Sequence, residues 1–289
     1  MAAEAVSVVV PVRTPAPYLA EALASVEGAA EKIVVADGED VEAEGARIVR
    51  TAPVGRSRAR NLGVEEARTP FVAFLDADDL ALPGRFARQH AVLSESRAAL
   101  CFGRVRAIDE RSGELPEGTE LERRRFAALV ARGPSYEGLL VDCPIYTSAT
   151  MVRREAFLAV GGYDPALDAY EDLDLYLRLS RTGGLVSLDE EVAAHRRHPG
   201  NTSSEALYRG SLLVVEKHVP DARGLARRLL LERRVDALWG LGEFGTARAE
   251  ALRASWSEPA LLARRRFAYR LAGSLLPAPL LRRVREARQ

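Results

Sequence analysis

The sequence predicts an α/β fold: a mostly parallel sheet flanked by helices, followed by a helical C-terminal appendage. Three observations carry that prediction. Strand and helix patterns alternate over the first hundred residues, the apolar run Phe71-Val72-Ala73-Phe74-Leu75 ends abruptly in Asp76-Ala77-Asp78-Asp79, and from Glu205 the pattern turns wholly helical. With 289 residues and 47% hydrophobic content, the chain is long enough to bury a full core.

Taken in order, Val6 to Val12 reads as a buried strand, and Tyr18, Leu19, Ala22, Leu23 and Val26 recur at helical spacing. Lys32 to Val35 is a second strand ending at Ala36-Asp37-Gly38, and Arg47 to Val49 a third. Gly55 to Gly63 is a loop entering a helix, with Ala59 and Leu62 facing inward, and the strand Phe71 to Leu75 follows. Repeated β-α-β order implies right-handed crossovers and helices on both sheet faces. A helix after Pro83 with Phe86 and Leu93 inward leads to a strand from Ala98 to Phe102, and Arg104 to Ile108 reads as a further strand. Past about residue 115 the spacing predicts a polar helix over 120–132, a strand over 147–153 and a helix from Glu171 to Ser180. Strand signals return at Leu185 to Leu188 and Val192 to His195. Leu238 to Leu252 resembles one helix-turn-helix unit of a tetratricopeptide-like array, which alone makes no solenoid.

Composition bounds the function. Net charge is zero, so nothing global points to nucleic acid, although from Ala222 onward 15 Arg face 6 acidic residues. Cys101 and Cys143 are far apart, which fits buried thiols in a reducing cytoplasm, and no leader or membrane-length apolar run is expected. The expected location is cytoplasmic. The basic, apolar stretch Arg264 to Leu276, followed by Arg282, Arg283, Arg285 and Arg288, suits weak peripheral contact with a membrane, but pairing of these Arg residues with acids of the catalytic domain is the preferred reading.

Open α/β sheets bind ligands at their strands' carboxyl edge, where Asp76, Ala77, Asp78 and Asp79 lie. On an extended segment Asp76 and Asp78 project to one side, which suits Mg²⁺ or Mn²⁺ carrying phosphates. A plain capped turn, with Asp78 or Asp79 starting the next helix, fits the same residues.

The succession Val8-Val9-Val10-Pro11-Val12, Ile33-Val34-Val35-Ala36-Asp37-Gly38, Ala59-Arg60-Asn61-Leu62-Gly63, Phe74-Leu75-Asp76-Ala77-Asp78-Asp79, Val160-Gly161-Gly162-Tyr163-Asp164, Glu171-Asp172-Leu173-Asp174 and His198-Pro199-Gly200-Asn201 resembles family-two glycosyltransferases. The resemblance covers roughly residues 5 to 205 and implies a GT-A, Rossmann-like domain over 1–205. It would comprise a nucleotide-sugar half over 1–110 and an acceptor half over 111–205, with residues 206–289 a helical C-terminal region. It further implies an inverting transferase that uses Mn²⁺ or Mg²⁺, a nucleoside diphosphate sugar as donor and an acceptor of unstated identity. Asp172 would be the general base; Asp78, Asp76 and His198 would hold the metal; Pro11, Val12, Arg13, Asp37, Arg60, Asp76 and Ala77 would touch the donor. For Asp172, an ordinary first-turn helix acid is the competing reading, and for His198 a structural histidine.

The chain departs from the family where an aromatic residue is expected after the first strand. Arg13 stands there and could stack on a base instead, while the usual paired Asp is reduced to Ala36-Asp37. Both departures weaken the case for uridine. A phosphatase of the haloacid-dehalogenase type would need a downstream Lys, but Lys32 and Lys217 are the only lysines. A non-catalytic nucleotide-sugar binding or scaffolding protein is the alternative, and Glu171-Asp172 argues against it because binding needs no base.

Overall fold

A computed structural model describes residues 5–13, 16–38, 40–198 and 203–274. The chain divides into two compact units, Met1–Asn201 and Thr202–Gln289.

In the first unit the strands are β1 (Val6–Val12), β2 (Glu31–Asp37), β3 (Arg47–Thr51), β4 (Phe71–Phe74), β5 (Leu80–Ala81), β6 (Leu100–Ile108), β7 (Thr150–Arg153) and β8 (Leu185–Arg196). They form one sheet in the order β3-β2-β1-β4-β7-β6-β8-β5. Neighbours among β3, β2, β1 and β4 pair in parallel, as do β6 and β8. β7 runs antiparallel to both β4 and β6, and β5 runs antiparallel to β8. The helices are α1 (Leu19–Ser25), α2 (Arg56–Glu66), α3 (Arg85–Glu95), α4 (Pro116–Arg132), α5 (Tyr136–Val141), α6 (Arg154–Ala159) and α7 (Glu171–Thr182). The expected α/β class with a mostly parallel, helix-flanked sheet is therefore present.

β1 is apolar apart from Ser7 because both of its faces are covered. Val6, Val8, Val10 and Val12 join Leu19 and Leu23 of α1 and Phe86 and Leu93 of α3 in one core. Val9 points the other way, toward α2, where a methyl group on Gly63 would lie 2.3 Å from its Cγ1. Glycine is what lets this helix sit so low on the sheet.

The order of the strands places the site. β2 and β3 lie on one side of β1 and β4 on the other, so a crevice opens at the carboxyl ends of β1 and β4. Register aligns Val12 with Ala36 and Val9 with Phe74, which brings Arg13, Asp37 and Asp76 to that one edge.

Three expectations about strands change. The two signals between Ala98 and Ile108 belong to one strand, β6, which begins at Leu100, and the two signals between Leu185 and His195 to one strand, β8. Register shifts at Gly103/Arg104 and Arg104/Val105 interrupt the pattern without ending the ladder, as a bulge does. Of residues 147–153 only Thr150–Arg153 is strand, and Thr147–Ala149 is a 3₁₀ turn.

The second unit contains α8 (Ser204–His218), α9 (Gly224–Leu241), α10 (Phe244–Ser257), a 3₁₀ turn at Pro259–Ala263 and α11 (Arg265–Ser274). Gly242, left-handed at φ 81°, ends α9 and starts the turn into α10, which gives the expected helix-turn-helix. Its core joins Leu231 and Val235 to Ala251, Ala254, Leu261 and Phe267. Here the expected pairing of tail arginines with the catalytic domain is corrected. Arg264 pairs with Glu232, and Arg266 and Arg270 pair with Asp236 at 2.6 and 2.9 Å, all within this unit. Among the described residues no helix is long and apolar enough to cross a membrane. Arg282, Arg283, Arg285 and Arg288 lie outside the described residues.

Both cysteines are free. Cys101 is buried, and burial pushes its thiol up to about 12, so it is chemically quiet; Cys143 is half-buried.

Candidate active site

The carboxylates that end β4 go to separate partners. Asp76 Oδ1 accepts a 2.6 Å hydrogen bond from Arg60, and its backbone N–H donates to Ser148 Oγ at 3.0 Å. Asp78 Oδ2 lies 2.8 Å from His198 Nε2, both side chains being partly exposed. Asp79 does not cap the following turn. It is buried and accepts from the Arg196 backbone N–H at 2.9 Å and from His195 Nδ1 at 3.1 Å, fastening the end of β8 to this turn. His195, given no role from sequence, therefore has one, with its ring also 4.5 Å from that of Tyr146. Arg196 is fully buried, donates from Nε to the Asp78 carbonyl, and reaches Glu21 of α1 at 2.8 Å. Ala77 is half-buried between these acids.

The crowded acids raise one another's cost of ionisation. Burial first, then the charges of Asp76 and Asp79, hold the Asp78 carboxyl above its ordinary value. Among the described residues no group of three or more His, Cys, Asp and Glu side chains is placed to hold a metal. Asp78 and His198 do form a pair of oxygen and imidazole donors, a set that suits Mn²⁺ or Mg²⁺ when phosphate and water oxygens fill the other positions. The excess negative charge around Asp78 is what a cation would relieve. The residues thus fit the implied ion through Asp78 and His198, with Asp76 committed to Arg60. Pro199, Gly200 and Asn201 of the same motif lie outside the described residues.

The Ala59-Arg60-Asn61-Leu62-Gly63 segment of α2 connects this edge to the second half of the unit. Ala59 is buried, and Gly63 meets β1. Asn61 clasps the loop before α7: its Nδ2 donates to the Tyr163 carbonyl at 2.8 Å, and its Oδ1 accepts from the Tyr163 N–H at 2.9 Å. Gly162, at φ 67°, packs there so closely that a Cβ would sit 2.6 Å from Asn61 Oδ1. Arg60 is 2% exposed, with its guanidinium 5.3 Å from the centre of the Tyr163 ring. One arm reaches Asp76 and the other donates to Glu171 Oε1 at 2.8 Å, so its partners are two carboxylates of the protein.

α7 presents three acids in its first turn, Glu171, Asp172 and Asp174, and two are consumed. Glu171 is buried against Arg60, and Asp174, with no exposed surface, is paired with Arg178 at 2.6 Å. Asp172 is half-buried, and its Oδ1 accepts from the neighbouring Leu173 N–H at 2.7 Å. Burial, and then the charge of Glu171, push its carboxyl up to about 7. Tyr170, just before this pair, is held in the left-handed region at φ 60°, a strained geometry for a bulky residue.

Asp37 is buried, and its two oxygens accept the backbone N–H groups of Val54 and Gly55 at 2.6 to 3.3 Å. It thereby shapes the loop that launches α2. Beside that loop a cavity of about 330 Å³ is lined by Arg13, Arg56, Ser57, Pro165, Leu167 and Asp168, which is large enough for a small ligand group. Arg13 is exposed, Val12 is buried, and Pro11 is half-buried on β1. Sequence reasoning missed Ser148, His195 and Arg196, whose hydrogen-bond partners are 72 to 175 residues away. No local pattern announces such contacts.

A switch-point crevice edged by strand-end carboxylates, with a second acidic pair at the start of α7, is a ligand-binding arrangement of open α/β folds. The family described as "Glycosyltransferase like family 2" matches residues 47–201, which is 155 of 289 residues and more than half of the chain. The chain belongs to that family. It is 27% identical over 236 residues to the pre-mycofactocin glycosyltransferase of Mycobacterium tuberculosis, covering 75% of this chain and 48% of that one. It is 32% identical over 147 residues to an uncharacterized glycosyltransferase of Methanocaldococcus jannaschii, covering 50% and 48%. The chain thus spans about half the length of these relatives. Among solved structures, Staphylococcus aureus TarS residues 1–349 superposes with a TM-score of 0.63 at 14% identity, over 98% of this chain and 90% of that one. TarS structures in complex with UDP and with UDP-GlcNAc superpose at 0.60 and 0.55. At such identity the likeness is one of fold, here GT-A-like.

Proposed function

We propose that this chain is an inverting glycosyltransferase that moves a sugar from a nucleoside diphosphate to an acceptor hydroxyl, with Asp172 as general base. The observation that carries this reading is the isolation of Asp172 on α7. Glu171 and Asp174 are spent on Arg60 and Arg178, leaving one partly exposed carboxylate on that turn whose pKa is pushed up to about 7. A base near neutrality is the form that takes a hydroxyl proton most effectively. Asp172 would accept that proton as the acceptor oxygen attacks the anomeric carbon. The bonding pair between that carbon and its phosphate oxygen leaves with the diphosphate, and a single displacement inverts the anomeric centre.

Asp78 and His198 would hold a divalent cation, which when bound neutralises charge building on the leaving diphosphate. The family membership and the UDP and UDP-GlcNAc complexes of TarS support a nucleotide-sugar donor. The cavity at the end of β1 would receive its nucleoside, with the Arg13 guanidinium stacked on the base. Asp37 would contribute there by fixing the Val54-Gly55 backbone, and Pro11, Val12 and Ala77 by forming the walls between β1 and β4.

The test is Asp172→Asn, which keeps shape and removes basicity. Donor affinity should persist while transfer falls by about 10²- to 10⁴-fold. Full transfer by Asp172→Asn, or a product that retains the donor's anomeric configuration, would overturn the proposal.

A further inference from the structure

We infer that Arg60 is a positioning residue for the transfer reaction, a buried strut that joins the strand-end carboxylate Asp76 to Glu171 and so fixes the turn of α7 that carries Asp172. This inference rests on the reading of Asp172 as the base. Four observations make it. Arg60 is 2% exposed, so its guanidinium is enclosed by protein. Its two arms diverge, one to Asp76 at 2.6 Å and one to Glu171, 111 residues from Arg60 in sequence, at 2.8 Å, which ties the end of β4 to the start of α7. The Tyr163 ring lies 5.3 Å from the guanidinium and limits its rotation. Asn61, the next residue, fixes Tyr163 through both backbone polar groups, so the ring is itself held from α2.

The fork of the guanidinium matters here. Only a planar group with separated donors can hold two carboxylates in fixed directions at once, and an ammonium is a single point charge. Breaking a buried pair leaves the remaining carboxylates uncompensated. Among the described residues Glu171 would then retain the Arg56 ion pair alone, at 3.6 Å and half-exposed. Since Asp172 is adjacent to Glu171, any charge left on Glu171 acts directly on the proposed base. The groups that bear on Asp172 are Glu171 beside it, Arg60 and Arg56 from α2, Tyr163 from the preceding loop and Tyr176 one turn on. Burial holds both phenols well above their ordinary values, so they stay neutral near pH 7.

Two substitutions should therefore move Asp172 in opposite directions. Glu171→Gln removes the adjacent negative charge and should lower the Asp172 midpoint. Arg60→Met, and more mildly Arg60→Lys, should raise it, each by roughly one pH unit or less. The midpoint is read in the whole protein, without donor, by ¹³C NMR of labelled aspartate carboxyls, the Asp172 signal being assigned by its loss in Asp172→Asn. Opposite displacements are the expected result, and Arg60→Lys supplies the Arg60 arm if Arg60→Met fails to fold. A midpoint unmoved in these variants, or moved the same way by Glu171→Gln and Arg60→Lys, would overturn the strut. So would a weaker UDP-GlcNAc affinity in Arg60→Lys with the Asp172 midpoint unchanged, since Arg60 would then serve the donor. Failure of the base reading looks different: transfer would survive Asp172→Asn while the titration coupling remained.

Discussion

Asp172→Asn should make the folded protein more stable above neutral pH, although it removes the group proposed to do the chemistry. In the fold the Asp172 carboxyl is pushed from 3.8 to about 7, first by burial and then by Glu171. Between those values the native chain holds a proton that the unfolded chain has released, so native stability falls as pH rises from about 4 to about 7 and then levels off. At 1.36 kcal/mol per pH unit the full displacement corresponds to roughly 4 kcal/mol. Asp172 is partly exposed and solvent screens part of this, so a measured difference of about 2 kcal/mol is expected. The assay is urea unfolding of both proteins at pH 5 and pH 8. Wild type should lose stability relative to Asp172→Asn between the two, and the variant should be the more stable at pH 8. A variant equal to or weaker than wild type at pH 8 would refute the claim that the native environment opposes this charge.

Asp78→Ala should abolish Mn²⁺-dependent binding of nucleoside diphosphate, measured by calorimetry, while leaving the circular dichroism spectrum intact, because a partly exposed strand-end acid adds little to stability. Gly63→Ala should lower the thermal midpoint and cost about 1–3 kcal/mol, since the new methyl would sit 2.3 Å from Val9 Cγ1 and must push α2 off the sheet.

Much of the fold was legible because the signal is local. β1, with valine at five of its seven positions, and the apolar run of β4 ending in acids could be read directly, as could the order of motifs. What could not be read depends on chain segments meeting. The family resemblance puts Arg60 at the donor, and no local pattern announces its two carboxylate partners, which lie 16 and 111 residues away. Asp37 looked poised for a base, but its oxygens are taken by Val54 and Gly55, because a strand-end acid next to an incoming loop satisfies backbone donors first. Asp79 resembled a helix cap, but its carboxylate accepts from the Arg196 N–H and His195 at the close of β8. At Gly103 and Arg104 the register slips within a continuous ladder, so hydropathy suggested two strands where there is one.

Arg196 gives the site a further property. Its backbone N–H is bonded to Asp79 and its guanidinium to the Asp78 carbonyl, so the close of β8 and the turn after β4 form a single pinned joint. His198 follows that joint by two residues, and two residues of chain reach no more than about 7 Å. The imidazole is thus on a short leash whose fixed end is the very segment that carries Asp78. The free energy of bringing the two side chains together is met when the chain folds, and a cation that used both, as proposed, would meet one of them at high effective concentration once it had engaged the other.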